Sequence, residues 1–182
     1  SVELENGAAE PLLPQEDGWF VLEAHCPAGS RYRYKINHTL DVPDPASRAQ
    51  AEGVHGHSVV VDPNAYAWRH DAWQGRPWEE AVIYELHVGA LGGFAGVEQR
   101  LQHLADTGVT AIELMPIAQF PGDRNWGYDG VLPYAPQSSY GTPEQLKHLI
   151  DTAHGLGLAV ILDVVYNHFG PDGNYLGAYA KH

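Results

Sequence analysis

Three polar side chains lie close together at the end of an apolar run. Asp163 is the one charged residue in the run 158–165, and Asn167 and His168 follow shortly after it. A carboxylate within an apolar run is costly to bury unless it is hydrogen-bonded, so this grouping predicts a polar site at a strand end. The residues give equal weight to an alternative, in which Asp163 bonds loop backbone and His168 is an ordinary loop histidine.

A second group of candidates lies in the long segment 116–141. Loops between strands and helices usually have about 2–6 residues, and a longer one is commonly functional or disordered. This segment is too aromatic for disorder. Aromatic faces suit the C–H faces of sugar rings, while sugar hydroxyls bond carboxylates and amides. The alternative is a cluster that only packs over the end of the sheet. Its aromatic residues are Phe120, Trp126, Tyr128, Tyr134 and Tyr140.

Other patterns with possible chemistry are weaker. His55-Gly56-His57 offers two metal ligands without a third, so we expect no metal site there. The glycines of residues 89–96 match neither a phosphate-binding loop nor a dinucleotide fingerprint. No Ser or Cys nucleophile motif is present.

Alternating strand and helix patterns surround these candidates after residue 77. Strands are predicted over 81–88, 109–115 and 158–165, and the last is nearly all apolar. Such a strand is usually covered on both faces, as in parallel sheets. Strands joined by helices therefore predict the α/β class. In a (β/α)8 barrel the active site lies at the carboxyl ends of the strands, and in a doubly wound sheet the ligand crevice lies there.

Two helices connect the predicted strands. Apolar residues at helical spacing predict the first, which ends at Gly108; they are Val97, Leu101, Leu104 and Ala105. The second begins at Thr142, with Pro143 at the first helical position and Gln145 completing a capping box. In the first strand, Glu85 and His87 alternate with apolar residues. We expect one of them to point into the barrel, with a structural role.

The N-terminal part has a different pattern. Residues 1–16 are rich in Pro, Ala and Glu and show no clear period, whereas 18–63 predict three or four strands. Residues 31–37 alternate polar and apolar side chains. We predict an all-β immunoglobulin-like sandwich over 1–75, clipped at its N-terminus. Residues 76–182 are predicted to be the first part of a barrel that continues beyond the chain end.

Composition narrows the possible partners. The 182 residues carry a formal net charge of −13, which disfavours both nucleic acid and an anionic membrane surface. Hydrophobic residues make up 44% of the chain, enough for a packed core. Cys26 is the one cysteine, so no intrachain disulfide can form, which suits a reducing, cytoplasmic compartment. Neither a signal peptide nor an apolar run of about 18 residues is present.

Several segments resemble a known enzyme family. Asp163-Val164-Val165-Tyr166-Asn167-His168 resembles the first signature region of the α-amylase superfamily, glycoside hydrolase family 13. Residues 120–130 and 167–176 are similar to its malto-oligosyltrehalose trehalohydrolase branch. The dense match covers 77–179. The N-terminal part resembles the starch-module β-domain of these enzymes more loosely, mainly over 44–48 and 61–63.

The resemblance implies a reaction and a location for its catalytic groups. The expected activity is hydrolysis of the α-1,4-glucosidic bond next to the trehalose end of maltooligosyl trehalose, releasing trehalose. The family retains anomeric configuration with two carboxylates about 5–5.5 Å apart. These follow strands four and five, so we assign no catalytic residue and expect residues 1–182 alone to be inactive. Alternatives are a glycogen branching or debranching enzyme and a non-catalytic carbohydrate-binding relative.

The resemblance also assigns substrate contacts. It implies that Tyr128 stacks on the sugar at the cleavage point, that His168 bonds hydroxyls of that sugar, and that Asp163 supports the site from below. Asp129 and Trp126 are further substrate-binding candidates. Asn167 matches a calcium-binding Asn of many α-amylases. We expect it to be structural, with no metal and no cofactor, because trehalohydrolases are not expected to keep that calcium.

Overall fold

Antiparallel strands form the N-terminal part of the chain. The computed structural model describes residues 1–5 and 7–180. The strands of this part are β1 (Val2–Leu4), β2 (Ala9–Glu10), β3 (Leu13–Pro14), β4 (Phe20–Val21), β5 (Arg31–Ile36), β6 (Leu40–Val42) and β7 (Ser58–Val59). A five-stranded sheet has the order β2-β1-β5-β6, with β7 also paired to β5, while β3 and β4 form a separate two-stranded hairpin.

The strongest strand pattern of the N-terminal part is confirmed. The alternating run at 31–37 becomes β5, which pairs with three other strands. Strands β1 to β3 lie within residues 1–16, where the sequence shows no period. They have only two or three residues each, too few for a period to be visible. The immunoglobulin-like sandwich stays a prediction.

A parallel sheet follows, as the α/β class requires. The strands of this part are β8 (Ile83–Leu86), β9 (Ala111–Leu114), β10 (Ala118–Gln119), β11 (Leu132–Pro136) and β12 (Ala159–Leu162). The parallel sheet has the order β12-β9-β8, and both of its pairings are parallel. The helices are α1 (Gly93–Glu98), α2 (Leu101–Asp106), α3 (Pro143–Gly155) and α4 (Leu176–Tyr179).

The register of the parallel strands sorts their side chains between two faces. Leu86 of β8 and Leu114 of β9 are opposite each other, and both lie in the hydrophobic core shared with the helices. Glu85 and Glu113 are also opposite each other, one position earlier. Because successive side chains alternate, these two carboxylates lie on the face away from the helices. His87 follows one residue after the end of β8.

The helices match their sequence signals unevenly. Helix α3 has the predicted capping box: Thr142 Oγ1 accepts from the Gln145 N–H at 3.2 Å, and Gln145 Oε1 accepts from the Thr142 N–H at 2.9 Å. The single helix predicted before Gly108 is wrong in detail, because it is divided into α1 and α2. At the break the Arg100 N–H bonds the carbonyl of Val97, which tightens the turn.

The long segment 116–141 has regular structure of its own. Strands β10 and β11 pair antiparallel within it, and a 3-10 turn covers Ser138–Tyr140. Two of its aromatic side chains, Phe120 and Tyr140, are buried in the core, with ring centroids 5.7 Å apart. Phe120 and Tyr140 therefore pack inward, so the interpretation of the whole aromatic set as a sugar-binding surface is wrong for these two.

Candidate active site

Strand β12 delivers Asp163 to the carboxyl edge of the parallel sheet. The Asp163 N–H donates to the carbonyl of Leu114 at 3.0 Å, so backbone pairing with β9 continues one residue past the strand. The side chain is half-buried, which corrects the expectation of a buried carboxylate. The reason is that β12 is an outer strand of the described sheet, and its neighbours Leu162 and Val164 are 43% and 50% exposed.

Tyr128 contacts two of the residues predicted from the first signature region. Its hydroxyl donates to Asp163 Oδ2 at 3.1 Å. His168 Nε2 lies 2.9 Å from the carbonyl oxygen of Tyr128, and since a carbonyl only accepts, Nε2 must carry the proton. The structure therefore brings together Tyr128, Asp163 and His168, which belong to two separate loops at the same edge of the sheet.

The turn that carries Tyr128 is held by a side chain that the sequence analysis did not assign to the site. Asn125 Oδ1 accepts from the Gly127 N–H at 2.7 Å, and Asn125 Nδ2 donates to Asp129 Oδ2 at 2.7 Å. Gly127 has φ of +100°, and a Cβ there would lie 2.1 Å from the carbonyl oxygen of Pro116. An Asn two residues before a Gly is a recognisable turn signal, and it could have identified Asn125.

Nearby carboxylates act on the Tyr128 hydroxyl. The hydrogen bond to Asp163 raises the pKa of Tyr128, and desolvation raises it further. The negative charges of Asp163, Glu85 and Glu113 act in the same direction. The hydroxyl is therefore a neutral donor at physiological pH, directed at a carboxylate.

The other predicted site residues differ in how firmly they are held. Trp126 is 74% exposed, and Asp129 is fixed by Asn125 as described. Asn167 is exposed, and within residues 1–5 and 7–180 its side chain makes no hydrogen bond. Its structural role stays a prediction. Tyr134, at 69% exposure, also lies open to solvent.

The two histidines of the His55-Gly56-His57 motif have separate partners. His55 Nδ1 lies 2.6 Å from the Tyr175 hydroxyl, and His55 Nε2 lies 3.2 Å from Asp172. His57 lies 3.5 Å from Glu52. Across the described part of the chain, no three His, Cys, Asp or Glu side chains are grouped so that they could hold a metal ion.

Among the described residues, one cavity adjoins the candidate site and a second lies apart from it. One of about 390 Å³ adjoins Asp163 and is lined also by Gly127, Tyr134 and Phe169. A larger cleft of about 650 Å³ lies between the N-terminal sheet and the start of α3, and none of the predicted site residues lines it.

Among the described helices, none is long and apolar enough to cross a membrane.

The arrangement offers an aromatic face beside hydrogen-bonding groups. Tyr128 is 38% exposed, its hydroxyl bonds Asp163, and its carbonyl bonds the His168 imidazole. Apolar ring faces with a few convergent polar groups are typical of small-molecule sites. A sugar ring has both an apolar C–H face and hydroxyl groups, so it matches this combination.

The sequence is similar to those of named enzymes. The chain is 51% identical over 165 residues to the malto-oligosyltrehalose trehalohydrolase of Saccharolobus solfataricus, covering 88% of this chain and 29% of that protein. It is 44% identical over 178 residues to the enzyme of the same name from Deinococcus radiodurans, covering 96% and 30%. The chain thus spans about 30% of the length of these relatives.

Solved structures show the same fold. A protein from Salmonella typhimurium described as an α-amylase superposes with a TM-score of 0.94 at 50% identity, covering 98% of this chain and 31% of that one. A type I pullulanase from Bacillus subtilis, solved with maltose, has a TM-score of 0.74 at 24% identity, covering 95% and 31%. That second likeness bears on the fold alone.

The family model for the α-amylase catalytic domain matches residues 46–181. Together with the parallel β12-β9-β8 sheet, this match makes the three strands the start of a (β/α)8 barrel. The chain belongs to the α-amylase family.

Proposed function

We propose that this chain is part of a glycoside hydrolase that cleaves the α-1,4-glucosidic bond next to the trehalose end of maltooligosyl trehalose and releases trehalose. The observation that carries the proposal is the 51% identity, over 88% of this chain, to a named trehalohydrolase. The substrate is an α-glucan oligosaccharide, and we expect neither a nucleic acid nor a membrane as partner.

In this proposal the described residues bind sugar and leave bond cleavage to other groups. Tyr128 stacks on the ring at the cleavage point, His168 bonds its hydroxyls, and Asp163 supports Tyr128 through the 3.1 Å hydrogen bond. Asp129 and Trp126 extend the binding surface. The two carboxylates of a retaining mechanism would follow barrel strands four and five, outside the three parallel strands described.

Two structural proposals accompany this function. We infer a β-domain over residues 1–75, of the immunoglobulin-like sandwich type, and a barrel portion over 76–182. In support, the N-terminal antiparallel strands end at Val59 and the first parallel strand begins at Ile83. We also propose a cytoplasmic location, since the single Cys26 needs no oxidising compartment.

The experiment is an assay of the full-length protein, meaning the natural polypeptide that carries this chain. It is incubated with maltooligosyl trehalose, amylose and pullulan, and the products are separated by chromatography. Trehalose release from the first substrate is the expected result. New α-1,6 branches in amylose would instead identify a branching enzyme, and pullulan cleavage a debranching enzyme. Sugar binding without any product would favour a non-catalytic relative. Residues 1–182 alone are expected to release no trehalose.

A further inference from the structure

His87 links the first parallel strand to the turn that carries Tyr128. It lies one residue beyond β8 and is half-buried. Its Nε2 is 2.6 Å from the carbonyl oxygen of Asn125, a residue 38 positions later in the chain. Its ring also meets the buried Tyr140 edge to face, with centroids 6.1 Å apart. The side chain is therefore held on one side by the core and on the other by the Tyr128 turn.

The hydrogen bonds of His87 determine which nitrogen carries the proton. The Ala90 N–H donates to Nδ1 at 2.9 Å, so Nδ1 must be an unprotonated acceptor. The carbonyl of Asn125 can only accept, so Nε2 must be the protonated donor. Both requirements are met by one neutral tautomer, and the backbone of its own loop selects it.

From Asn125 the constraint continues to the tyrosine. The Asn125 side chain fixes the Gly127 N–H and Asp129, the residues on either side of Tyr128. On the far side, His168 holds the Tyr128 carbonyl at 2.9 Å. The backbone around Tyr128 is thus held from two opposite strands, by His87 next to β8 and by His168 after β12.

We propose that His87 is a positioning residue that sets the orientation of the Tyr128 ring by donating from Nε2 to the Asn125 carbonyl. It does not touch the sugar itself. Without that donor the turn loses its anchor on the β8 side, and the ring samples orientations that cannot stack on a sugar. The inference rests on the proposed function for its sugar-binding consequence and on the hydrogen bonds alone for the consequence on the turn.

The test compares two variants of similar side-chain length in the full-length protein. His87→Met removes the donor, whereas His87→Gln keeps an N–H donor at similar reach. For the Met variant we expect KM for maltooligosyl trehalose to rise about fivefold, the value of roughly one net hydrogen bond, with kcat changed much less. The Gln variant should restore most of the loss. His103→Gln, at an exposed position of α2, is the matched control and should behave as wild type.

A second readout does not depend on catalysis. Hydrogen–deuterium exchange of the peptide containing Gly127 should be faster in the Met variant than in the Gln variant or wild type. An unchanged exchange rate together with an unchanged KM would overturn the proposal. An equal KM and an equal exchange rate in the Met and Gln variants would show that the Nε2 donor has no role, and would also overturn it. Faster exchange in a protein that releases no trehalose would contradict the proposed function alone.

Discussion

At the scale of single residues, the Tyr128 hydroxyl and the Tyr128 ring have separate tasks. The hydroxyl orients the side chain by donating to Asp163 at 3.1 Å, and the 38% exposed ring presents a face to solvent. The hydrogen bond to Asp163 is the main cause that raises the pKa of Tyr128, and the charges of Glu85 and Glu113 act in the same direction. The two tasks can be separated by substitution.

Tyr128→Phe removes the hydroxyl and keeps the ring, so it should lower kcat/KM for maltooligosyl trehalose about fivefold, in line with one lost hydrogen bond. Tyr128→Ala removes the stacking face as well and should cost at least a further factor of about five. Steady-state kinetics of the full-length protein measure both. Equal effects of the two substitutions would mean that the ring face contributes nothing to sugar binding.

At the scale of elements, the most constrained contact is one that the sequence analysis did not identify. Asp151 of α3 is completely buried, and it accepts from backbone and side-chain groups of residues 64–79, the connector before β8. The donors are the Arg69 N–H and Nε, the His70 N–H and Nδ1, and the Tyr66 hydroxyl, all within 3.3 Å. Trp73 of the same connector stacks on His154 at 4.7 Å. This carboxylate therefore attaches the connector to the helix.

Burial alone would raise the pKa of Asp151, but the hydrogen bonds from Arg69, His70 and Tyr66 outweigh it and hold the pKa well below its usual value. A depressed native pKa stabilises the fold above the unfolded-state pKa of about 4 and loses that contribution as the pH falls through the native value. We therefore expect stability from this group to be constant near neutrality and to decline below about pH 4.

Asp151→Asn should destabilise the full-length protein by about 3 kcal/mol, since it leaves buried donors without their charged acceptor. It should also flatten the loss of stability between about pH 4 and pH 2 relative to wild type. Urea unfolding at several pH values measures both. Asp106→Asn, at an exposed position of α2, is the control and should change little. If the Asp151→Asn and Asp106→Asn proteins had equal free energies of unfolding, the connector would be held by other contacts.

At the scale of the whole molecule, the N-terminal part contacts both the long segment 116–141 and the helix α4 that follows β12. Val54 packs in one cluster with three residues of the long segment, Val131, Leu132 and Ala135. At the end of α4, the Tyr179 hydroxyl donates to the carbonyl of Pro43, and the Tyr179 ring meets the Tyr34 ring edge to face, with centroids 6.2 Å apart. The N-terminal part therefore packs against segments that adjoin the candidate site.

Gly173, in the loop after β12, lies next to Val54 of the N-terminal part and Val131 of the long segment. Its φ is +82°, and a Cβ there would be 2.4 Å from Val54 Cγ2 and 3.2 Å from Val131 Cγ2. Gly173→Ala should therefore cost about 2 kcal/mol through backbone strain and steric overlap. Gly177→Ala is the matched control, because a Cβ there meets nothing within 4 Å. Thermal unfolding of the full-length protein measures the difference, and equal melting temperatures would show that this junction yields without cost.

Local patterns account for most of the elements. The period-two run made β5 predictable, the apolar runs made the parallel strands predictable, and Thr142 with Gln145 marked the start of α3. Strands β1 to β3 were not predictable, because two or three residues are too few to show a period. The break between α1 and α2 was also missed, since Val97, Leu101 and Leu104 keep one apolar face across it and are all buried.

By itself, the sequence determined the α/β class, the capping of α3 and the family, since each depends on residues that are neighbours in the chain. Only the tertiary structure decided which loop aromatics face solvent, that Tyr128 donates to Asp163, and that His87 holds the Tyr128 turn. Tyr128 and Asp163 are 35 positions apart, and Arg69 and Asp151 are 82 apart. A local pattern indicates which face of an element is buried. Residues so far apart in the chain meet only because the elements that carry them pack against each other.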